Sequence, residues 1–229
     1  MIQDIWPKHL DNQYKNLKPG NEDTVFYFQG SSLLARPSGH FNSQNPEENV
    51  LIYPQYDEFV QGIKSSYGDK AVDNFEFIYL LSIDEEHFFL ARKTGSLERG
   101  TFLGEMADSA VHKDMYSFVR GYEFIGVDSF RKAQPREHAY AAITAFHLYG
   151  WYRDNHFCGR CGKPLKHDDK QRMLRCDCCK NMVFPKICPA VIVAVTDKDR
   201  ILLTKYAGRT YRNYALIAGF TEIGETTEE

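Results

Sequence analysis

Four of the six cysteines in the chain have the spacing of a metal site. Cys158 and Cys161 form one Cys-x2-Cys pair, Cys176 and Cys179 form another, and fourteen residues separate the two pairs. Two such pairs can bring four thiolates into a tetrahedron around Zn²⁺, which favours sulfur ligands in this geometry. Because four thiolates leave no coordination position open, the spacing predicts a structural zinc ion rather than a catalytic one.

The remaining cysteines do not fit this pattern. Cys178 would pair with Cys176 at Cys-x-Cys spacing, so it is placed outside the site, and Cys188 is expected to be a buried small hydrophobe. Disulfides or unliganded thiols are the alternative. The N-terminal residues contain no apolar stretch of signal-peptide type, so we expect the protein in a reducing compartment. In such a compartment, clustered cysteines favour a metal site over disulfides. The glycines after Cys158 and Cys161 are expected to permit tight turns at the sulfurs.

A second candidate for chemistry is the segment G-F-T-E-I-G-E-T-T-E-E at 219–229. Gly219 and Glu225 enclose five residues, and Thr226 and Glu229 have the spacing of a capping box that begins a helix. One helical turn without propagation is unfavourable, with a nucleation constant of ~10⁻³. We therefore interpret the segment as the start of a helix that the chain cuts short.

The elements that position these residues follow from hydrophobic periodicity. Strands and turns are predicted for the first 130 residues or so, with a loop at Ser38–Glu48. After the cysteines, a hairpin is predicted around the polar turn Asp197-Lys198-Asp199. The predicted strands are Val25–Gln29, Ser31–Ala35, Glu76–Ile83, His87–Arg92, Arg99–Met106, Tyr122–Val127, Ala190–Val195, Ile201–Tyr206 and Tyr214–Phe220.

One helix is predicted just before the cysteines. Its apolar stripe has helical spacing between Pro135 and Gly150, which predicts a core-facing helix of roughly 15–18 residues. The stripe consists of Ala139, Ala142, Ile143, Phe146 and Tyr149.

Composition limits the classes of function. Hydrophobic residues make up 43% of the 229 residues, and the net charge of −3 does not suit a wholesale nucleic-acid binder. No uninterrupted apolar stretch approaches the ~20 residues of a membrane-spanning helix. We therefore expect a soluble, cytoplasmic protein.

Four segments together resemble a known family of hydrolases. They are H-F-C-G-R-C-G at 156–162, C-x-x-C at 176–179, F-P-K-I-C-P-A-V-I-V-A-V at 184–195 and A-L-I-A-G-F-T-E-I-G-E-T at 215–226. From about Arg131 onward the chain resembles the NADH pyrophosphatase (NAD⁺ diphosphatase) branch of the Nudix hydrolases. The last segment is similar to the opening of the Nudix box, G-x5-E-x7-R-E-U-x-E-E-x-G-U.

The resemblance implies an activity. It is hydrolysis of the pyrophosphate of NAD(H) to nicotinamide mononucleotide and AMP, and removal of the NAD cap from RNA, assisted by Mg²⁺ or Mn²⁺. In the family the main metal ligands are the R-E-x-x-E-E glutamates. Because the chain is interpreted as truncated before them, we expect it to be inactive as it stands.

The resemblance also implies roles for individual residues. Glu225 is the first glutamate of the box and is expected to support the catalytic site. The alternative is that Glu225 only stabilises the start of a helix, because the helix dipole favours a carboxylate there. The backbone carbonyl of Ala218 is expected to bind the divalent cation. Phe184 and Phe220 match aromatic residues that enclose a substrate base, one from each subunit of a homodimer. Arg131 matches an arginine that contacts substrate phosphate.

The expected fold class is α+β in four parts. They are an N-terminal β-rich domain (1–133), a connecting helix (134–155), a zinc ribbon (156–183) and the first part of a Nudix α/β/α sandwich (184–229).

Two other functions stay open at this point. One is a non-catalytic zinc ribbon that serves as a binding or dimerisation module. The other is an RNA-binding ribbon, since the sequence from His156 to Lys180 contains seven basic residues and only three aspartates. The basic residues are Arg160, Lys163, Lys166, Lys170, Arg172, Arg175 and Lys180.

Overall fold

The computed structural model describes residues 2–39, 49–94, 118–208 and 212–228. Within these ranges short strands and a few helices form a mixed α+β fold, which confirms the predicted class. The predicted strand Arg99–Met106 and most of the predicted loop Ser38–Glu48 lie outside the described residues. No helix in the described ranges has the length and apolar character needed to span a bilayer.

The strands are β1 (Leu10–Asp11), β2 (Thr24–Phe26), β3 (Phe28–Gln29), β4 (Ser32–Ser38), β5 (Val50–Ile52), β6 (Phe75–Ile83), β7 (Glu86–Lys93), β8 (Glu123–Gly126), β9 (Leu165–His167), β10 (Leu174–Cys176), β11 (Met182–Val183), β12 (Ala190–Val193), β13 (Thr196–Asp197), β14 (Arg200–Ile201) and β15 (Ile217–Phe220). The α-helices are α1 (Tyr56–Tyr67) and α2 (Arg136–Asp154), and 3₁₀-helices span Asp69–Asn74 and Val127–Lys132.

The clearest predicted hairpin is confirmed as β6 and β7, which pair antiparallel. Asp84 in the turn adopts a left-handed φ of 50°. A bulge between Tyr79 and Leu81 interrupts the regular register. β1 pairs with β6 and β2 runs parallel to β7, so the sheet order is β1-β6-β7-β2.

A second sheet confirms two further predictions. The predicted strand pair at residues 25–35 appears as β3 and β4, with Phe28 opposite Leu33. The weaker prediction at Tyr122–Val127 appears as β8, which also pairs with β4. Apolar residues from both sheets are buried, which places the main core between them and α2.

Helix α1 was not predicted, and the interpretation of this region as strands and turns was wrong there. Phe59, Val60 and Ile63 are buried along one face of the helix. The Gln55 backbone N–H donates to the Glu58 carboxylate at 3.2 Å, a capping-box hydrogen bond that stabilises the N-terminus of α1. Gly62 permits close packing, because a Cβ added there would lie 2.8 Å from the Phe118 carbonyl oxygen.

Helix α2 confirms the predicted helix, with Gly150 near its end. It has 19 residues, slightly more than the predicted 15–18, and continues past Gly150 to Asp154. A glycine inside a helix costs only roughly 0.5–1 kcal/mol relative to alanine. Burial of Trp151 and Tyr152 in the next positions outweighs that cost.

The chain forms two compact units, residues 1–184 and residues 185–229. The predicted four-part division stays a prediction. In the second unit, β12 pairs with β15 rather than with a strand at Ile201–Tyr206, so the predicted hairpin there was wrong. The polar turn does form a hairpin, but a smaller one between β13 and β14. An isolated bridge joins Thr204 to Ala215.

Candidate metal centre

The first cysteine pair lies in a turn closed by two backbone hydrogen bonds. The Cys158 N–H donates to the Lys163 carbonyl and the Gly162 N–H donates to the Cys158 carbonyl, both at 2.8 Å. Gly162 has a φ of 70°, a left-handed conformation that glycine adopts without strain. Glycine at 162 therefore permits the turn without strain, as predicted. Gly159 does not adopt this conformation, so the turn does not require glycine there.

The second cysteine pair repeats the first. The Cys176 N–H donates to the Asn181 carbonyl and the Lys180 N–H donates to the Cys176 carbonyl, both at 2.9 Å. Lys180 occupies the position of Gly162 and has a φ of 60°. A left-handed conformation is unfavourable for any residue with a Cβ. The Lys180 ammonium also donates to the Asp177 carbonyl at 2.8 Å.

These turns bring the four predicted sulfurs together. The ligand atoms of Cys158, Cys161, Cys176 and Cys179 all lie within 4.8 Å of one another. The Sγ–Sγ distance is 3.5 Å between Cys158 and Cys179 and 3.4 Å between Cys161 and Cys176. Zn–S bonds of ~2.3 Å in a tetrahedron place neighbouring sulfurs ~3.8 Å apart. The donor set and its spacing therefore fit Zn²⁺. Among the described residues, no other group of three or more His, Cys, Asp or Glu ligands comes this close.

The surroundings of the sulfur group shift the pKa values of the Cys158 and Cys161 thiols in opposite directions. Burial raises the pKa of the Cys158 thiol, but backbone N–H groups that donate to its sulfur outweigh burial and lower that pKa to about 6. The Lys163 N–H lowers the pKa of Cys161, yet hydrogen bonding to neighbouring thiols and burial raise it to about 12. Adjacent thiolates repel one another, and a divalent cation removes that conflict.

The other two cysteines lie apart from this group. Cys178 is exposed and is not one of the four, as predicted. Cys188 is exposed as well, so its predicted burial was wrong. Among the described residues of the second unit, β12 and β15 form a two-stranded sheet, and most of the residues in these strands are exposed.

The segment at residues 219–225, here called the glutamate turn, is held by one of its own carboxylates. The Glu225 carboxylate accepts a hydrogen bond from the Glu222 N–H at 2.8 Å, and the Glu225 N–H donates to the Glu222 carbonyl at 3.2 Å. The described residues after Glu225 form a turn rather than the predicted helix start, and Glu229 lies outside the described residues. Mg²⁺ takes six oxygen ligands, several of which are usually waters and substrate phosphates, so one carboxylate supplies only part of such a site.

The structure places the other predicted site residues as follows. Ala218 and Phe220 lie in β15, opposite Ile192 and Ala190. The Phe220 side chain is 77% exposed, and Phe184, at the end of the first unit, is 51% exposed. The backbone of Arg131 lies in a 3₁₀-helix, but its side chain lies outside the described residues.

Sequence reasoning missed the contact that anchors the ribbon (residues 156–183) to the rest of the first unit. We call this contact the seam. The Tyr152 hydroxyl donates to His167 Nε2 at 2.7 Å, while His167 Nδ1 donates to the Asp168 carbonyl at 2.7 Å. Arg172 donates to the carbonyls of Leu80 and Asn12. The two partners of Arg172 lie 160 and 92 residues away in sequence, so no local pattern indicates them.

The seam also changes the interpretation of the basic residues in the ribbon. Arg172 points into the protein rather than into solvent. Lys166 pairs with Asp177 at 2.6 Å and Arg175 with Asp168 at 3.7 Å. With the Lys180 ammonium, which donates to the Asp177 carbonyl, four of the seven cations are engaged within the protein. This weakens the hypothesis that the ribbon is an RNA-binding surface.

Comparison with known proteins supports the Nudix resemblance. The chain is 35% identical over 82 residues to the NAD-capped RNA hydrolase NudC of Salmonella typhi. Proteins of the same name from Salmonella heidelberg (strain SL476) and Salmonella paratyphi B (strain ATCC BAA-1250 / SPB7) match with the same identity and length. The match covers 36% of this chain and 32% of each relative, so the chain spans about a third of the length of the curated relatives it matches. The chain matches no protein-family model.

Proposed function

We propose that the chain belongs to a Nudix hydrolase that cleaves the pyrophosphate of NAD(H), yielding nicotinamide mononucleotide and AMP, and that also acts on NAD-capped RNA. The observation that carries this proposal is the presence in one chain of the four-sulfur group and of a segment with the opening pattern of a Nudix box. The similarity to NAD-capped RNA hydrolases supports the substrate class.

Each part of the chain has a proposed role. The four cysteines hold one structural Zn²⁺, which fixes the ribbon. Phe184 and Phe220 hold a substrate base in a cytoplasmic homodimer, where stacking on an aromatic ring contributes about 1–3 kcal/mol per base. Both rings are at least half exposed, as a stacking surface must be before substrate binds. Arg131 contacts a substrate phosphate.

The glutamate turn has a supporting role in this proposal. Bound Mg²⁺ or Mn²⁺ would neutralise the diphosphate and activate water. The Ala218 carbonyl and Glu225 are the candidate ligands in the chain. Glu225 already accepts the Glu222 N–H and thereby sets the shape of the turn. We therefore propose that these 229 residues alone have negligible hydrolase activity.

A chimera tests this proposal. Residues 1–225 are joined to the part of Salmonella typhi NudC that follows its corresponding glutamate, and the chimera is compared with the 229-residue chain. Both proteins are incubated with NADH, NAD⁺ and NAD-capped RNA in the presence of Mg²⁺ or Mn²⁺, and the mononucleotides are quantified. The folded, zinc-loaded chimera should release nicotinamide mononucleotide and AMP, and the 229-residue chain should not.

Two controls separate the proposed roles. In the chimera, Glu225→Gln should slow cleavage, while Cys178→Ser should leave it unchanged. A chimera that is folded and zinc-loaded yet inactive would contradict the proposed substrate. Cleavage by the 229-residue chain itself would contradict the proposed dependence on further glutamates. Persistent zinc binding without cleavage by either protein would favour the non-catalytic zinc module.

A further inference from the structure

The two cysteine turns (residues 158–163 and 176–181) share their backbone hydrogen bonds but differ in one side chain. Lys163 and Asn181 occupy equivalent positions, because the carbonyl of each accepts the N–H of the first cysteine in its turn. Lys163 is exposed, whereas Asn181 is partly buried. The Asn181 Nδ2 donates to the Cys158 Sγ at 3.7 Å, a hydrogen-bond distance for a sulfur acceptor. Asn181 therefore belongs to one turn and contacts a sulfur of the other.

This contact makes the surroundings of Cys158 different from those of Cys176. In each turn the first cysteine is buried, and its sulfur accepts hydrogen bonds from the backbone N–H groups two and three residues later. The Asn181 side chain gives the Cys158 sulfur a further N–H donor. Among the described residues, no side-chain amide does the same for Cys176. The two turns are thus alike in their backbone contacts and unequal in their side-chain contacts.

The chemistry of the contact suits a thiolate that is bound to a metal. A thiolate accepts hydrogen bonds and cannot donate them, and the amide nitrogen of asparagine is a donor. Four thiolates around one Zn²⁺ leave net negative charge on the sulfurs, and an N–H group that donates to such a charge forms a charge-assisted hydrogen bond. Partners of this kind orient metal ligands and raise metal affinity.

We propose that Asn181 is a positioning residue of the zinc site, whose side-chain amide holds the Cys158 thiolate and thereby links the two cysteine turns. The Asn181 carbonyl accepts the Cys176 N–H at 2.9 Å, so this one residue contacts the first cysteine of both turns. The inference rests on the proposed zinc ion and does not depend on the proposed hydrolysis.

Two variants of the 229-residue chain test whether Asn181 acts as a hydrogen-bond donor. Asn181→Ala removes the amide but keeps the backbone carbonyl that closes the turn, so zinc affinity should fall about tenfold. Asn181→Asp keeps the shape of the side chain but places a carboxylate beside a thiolate, so affinity should fall further, by about 100-fold. Competition with a chromophoric chelator measures both. If the side chain only filled space, Asn181→Asp would bind zinc more tightly than Asn181→Ala, and that order would overturn the proposal.

The equivalent position in the first turn provides the matched control. Lys163→Ala truncates an exposed side chain and keeps the carbonyl that accepts the Cys158 N–H. It should change zinc affinity much less than Asn181→Ala does. Equal losses in these two variants would contradict a specific role for the Asn181 amide.

Nuclear magnetic resonance detects the hydrogen bond itself. The chain is labelled with ¹⁵N and loaded with ¹¹³Cd²⁺, a soft cation that replaces Zn²⁺ among thiolate ligands. Protons that donate to a metal-bound sulfur couple to the ¹¹³Cd nucleus through that sulfur. The spectrum should show the backbone N–H groups of the two turns and, in addition, the side-chain amide of Asn181. The side-chain signal should be absent from Asn181→Ala, while the backbone signals remain.

The outcomes separate this inference from the zinc site on which it rests. Backbone signals without a side-chain amide signal in the unaltered chain would overturn the role of Asn181 and leave the zinc site intact. Zinc affinities of the two Asn181 variants equal to that of the unaltered chain would do the same. A chain that binds neither zinc nor cadmium would contradict the metal site and this inference together.

Discussion

The ribbon and the glutamate turn are both short segments that carry metal-binding residue types, but they differ in how much of a site each completes. In the ribbon, two turns with the same hydrogen bonds bring four sulfurs within 4.8 Å. The Cys158 and Cys176 side chains are buried, and the seam anchors the ribbon through His167 and Arg172. In the glutamate turn, the exposed carboxylate of Glu225 accepts a hydrogen bond from the backbone N–H of Glu222.

The difference follows from how each kind of metal is bound. Zinc in a four-thiolate site takes all its ligands from two local turns, so such a site can be complete within about 30 residues. Mg²⁺ and Mn²⁺ need several oxygen ligands, which in helical motifs come from successive turns of a helix. A single glutamate at a turn therefore supports a site without forming one.

The largest expected effect is the loss of zinc affinity when one of the four cysteine ligands of the ribbon is replaced. Cys176→Ser removes one of the four sulfurs, and zinc affinity should fall by roughly 100-fold or more, above the loss seen when second-shell partners are changed. Cys178→Ser changes an exposed neighbouring thiol and should leave zinc content unchanged. Competition with a chromophoric chelator measures both affinities. Equal zinc loss in the two variants would refute the assignment of the ligands.

The two cysteine turns provide an internal test of backbone strain. Gly162→Ala places a Cβ at a φ of 70° and should lower the free energy of unfolding by about 1–2 kcal/mol. Lys180→Gly relieves the same strain in the second turn and should leave stability unchanged or raise it by up to about 1 kcal/mol. Denaturant titration of the zinc-loaded proteins measures both. Destabilisation of similar size in the two variants would contradict the equivalence of the turns.

The seam predicts that the stability of the protein depends on pH. Burial lowers the pKa of His167 below its ordinary value of 6.5, so the folded state binds this proton less readily than the unfolded state. The contribution of neutral His167 to stability should be complete above pH 6.5 and should decline as the pH falls toward the lowered pKa. Thermal unfolding of the zinc-loaded chain and of His167→Gln at pH 5 to 8 measures it. The advantage of the unaltered chain should shrink on acidification, and a constant difference would contradict this account.

The smallest effect is expected at the glutamate turn. Glu225→Gln weakens one exposed hydrogen bond and should change the free energy of unfolding by less than about 0.5 kcal/mol. Zinc content should stay the same. Glu228→Gln, a neighbouring exposed glutamate, is the control, and both are checked by denaturant titration. A loss of several kcal/mol in Glu225→Gln alone would show that the turn supports much more of the fold than its exposure indicates.

Local sequence patterns were enough to predict those structural features whose stabilising contacts join residues close in sequence. The cysteine spacing predicted the sulfur group because each pair lies within one turn. The β6–β7 hairpin was predicted because a polar turn joins two apolar strands. Helix α1 also had a signal that was overlooked, in the helical spacing of Phe59, Val60 and Ile63. Its aromatic and β-branched residues favour strands, and packing against the sheet decided otherwise.

The remaining features depend on long-range contacts. Pairing of β12 with β15 brings together residues about 25 positions apart, where hairpin rules favour the nearest strand. The seam joins Arg172 to carbonyls far away in sequence. None of these contacts leaves a periodic pattern in the chain.

The most direct test of the account is X-ray absorption spectroscopy at the zinc edge of the purified chain, combined with elemental analysis. The four-sulfur geometry predicts about one zinc ion per chain with four sulfur ligands at ~2.3 Å. Zinc far below one per chain, or a first shell with nitrogen or oxygen in place of one or more sulfurs, would contradict the closed structural site.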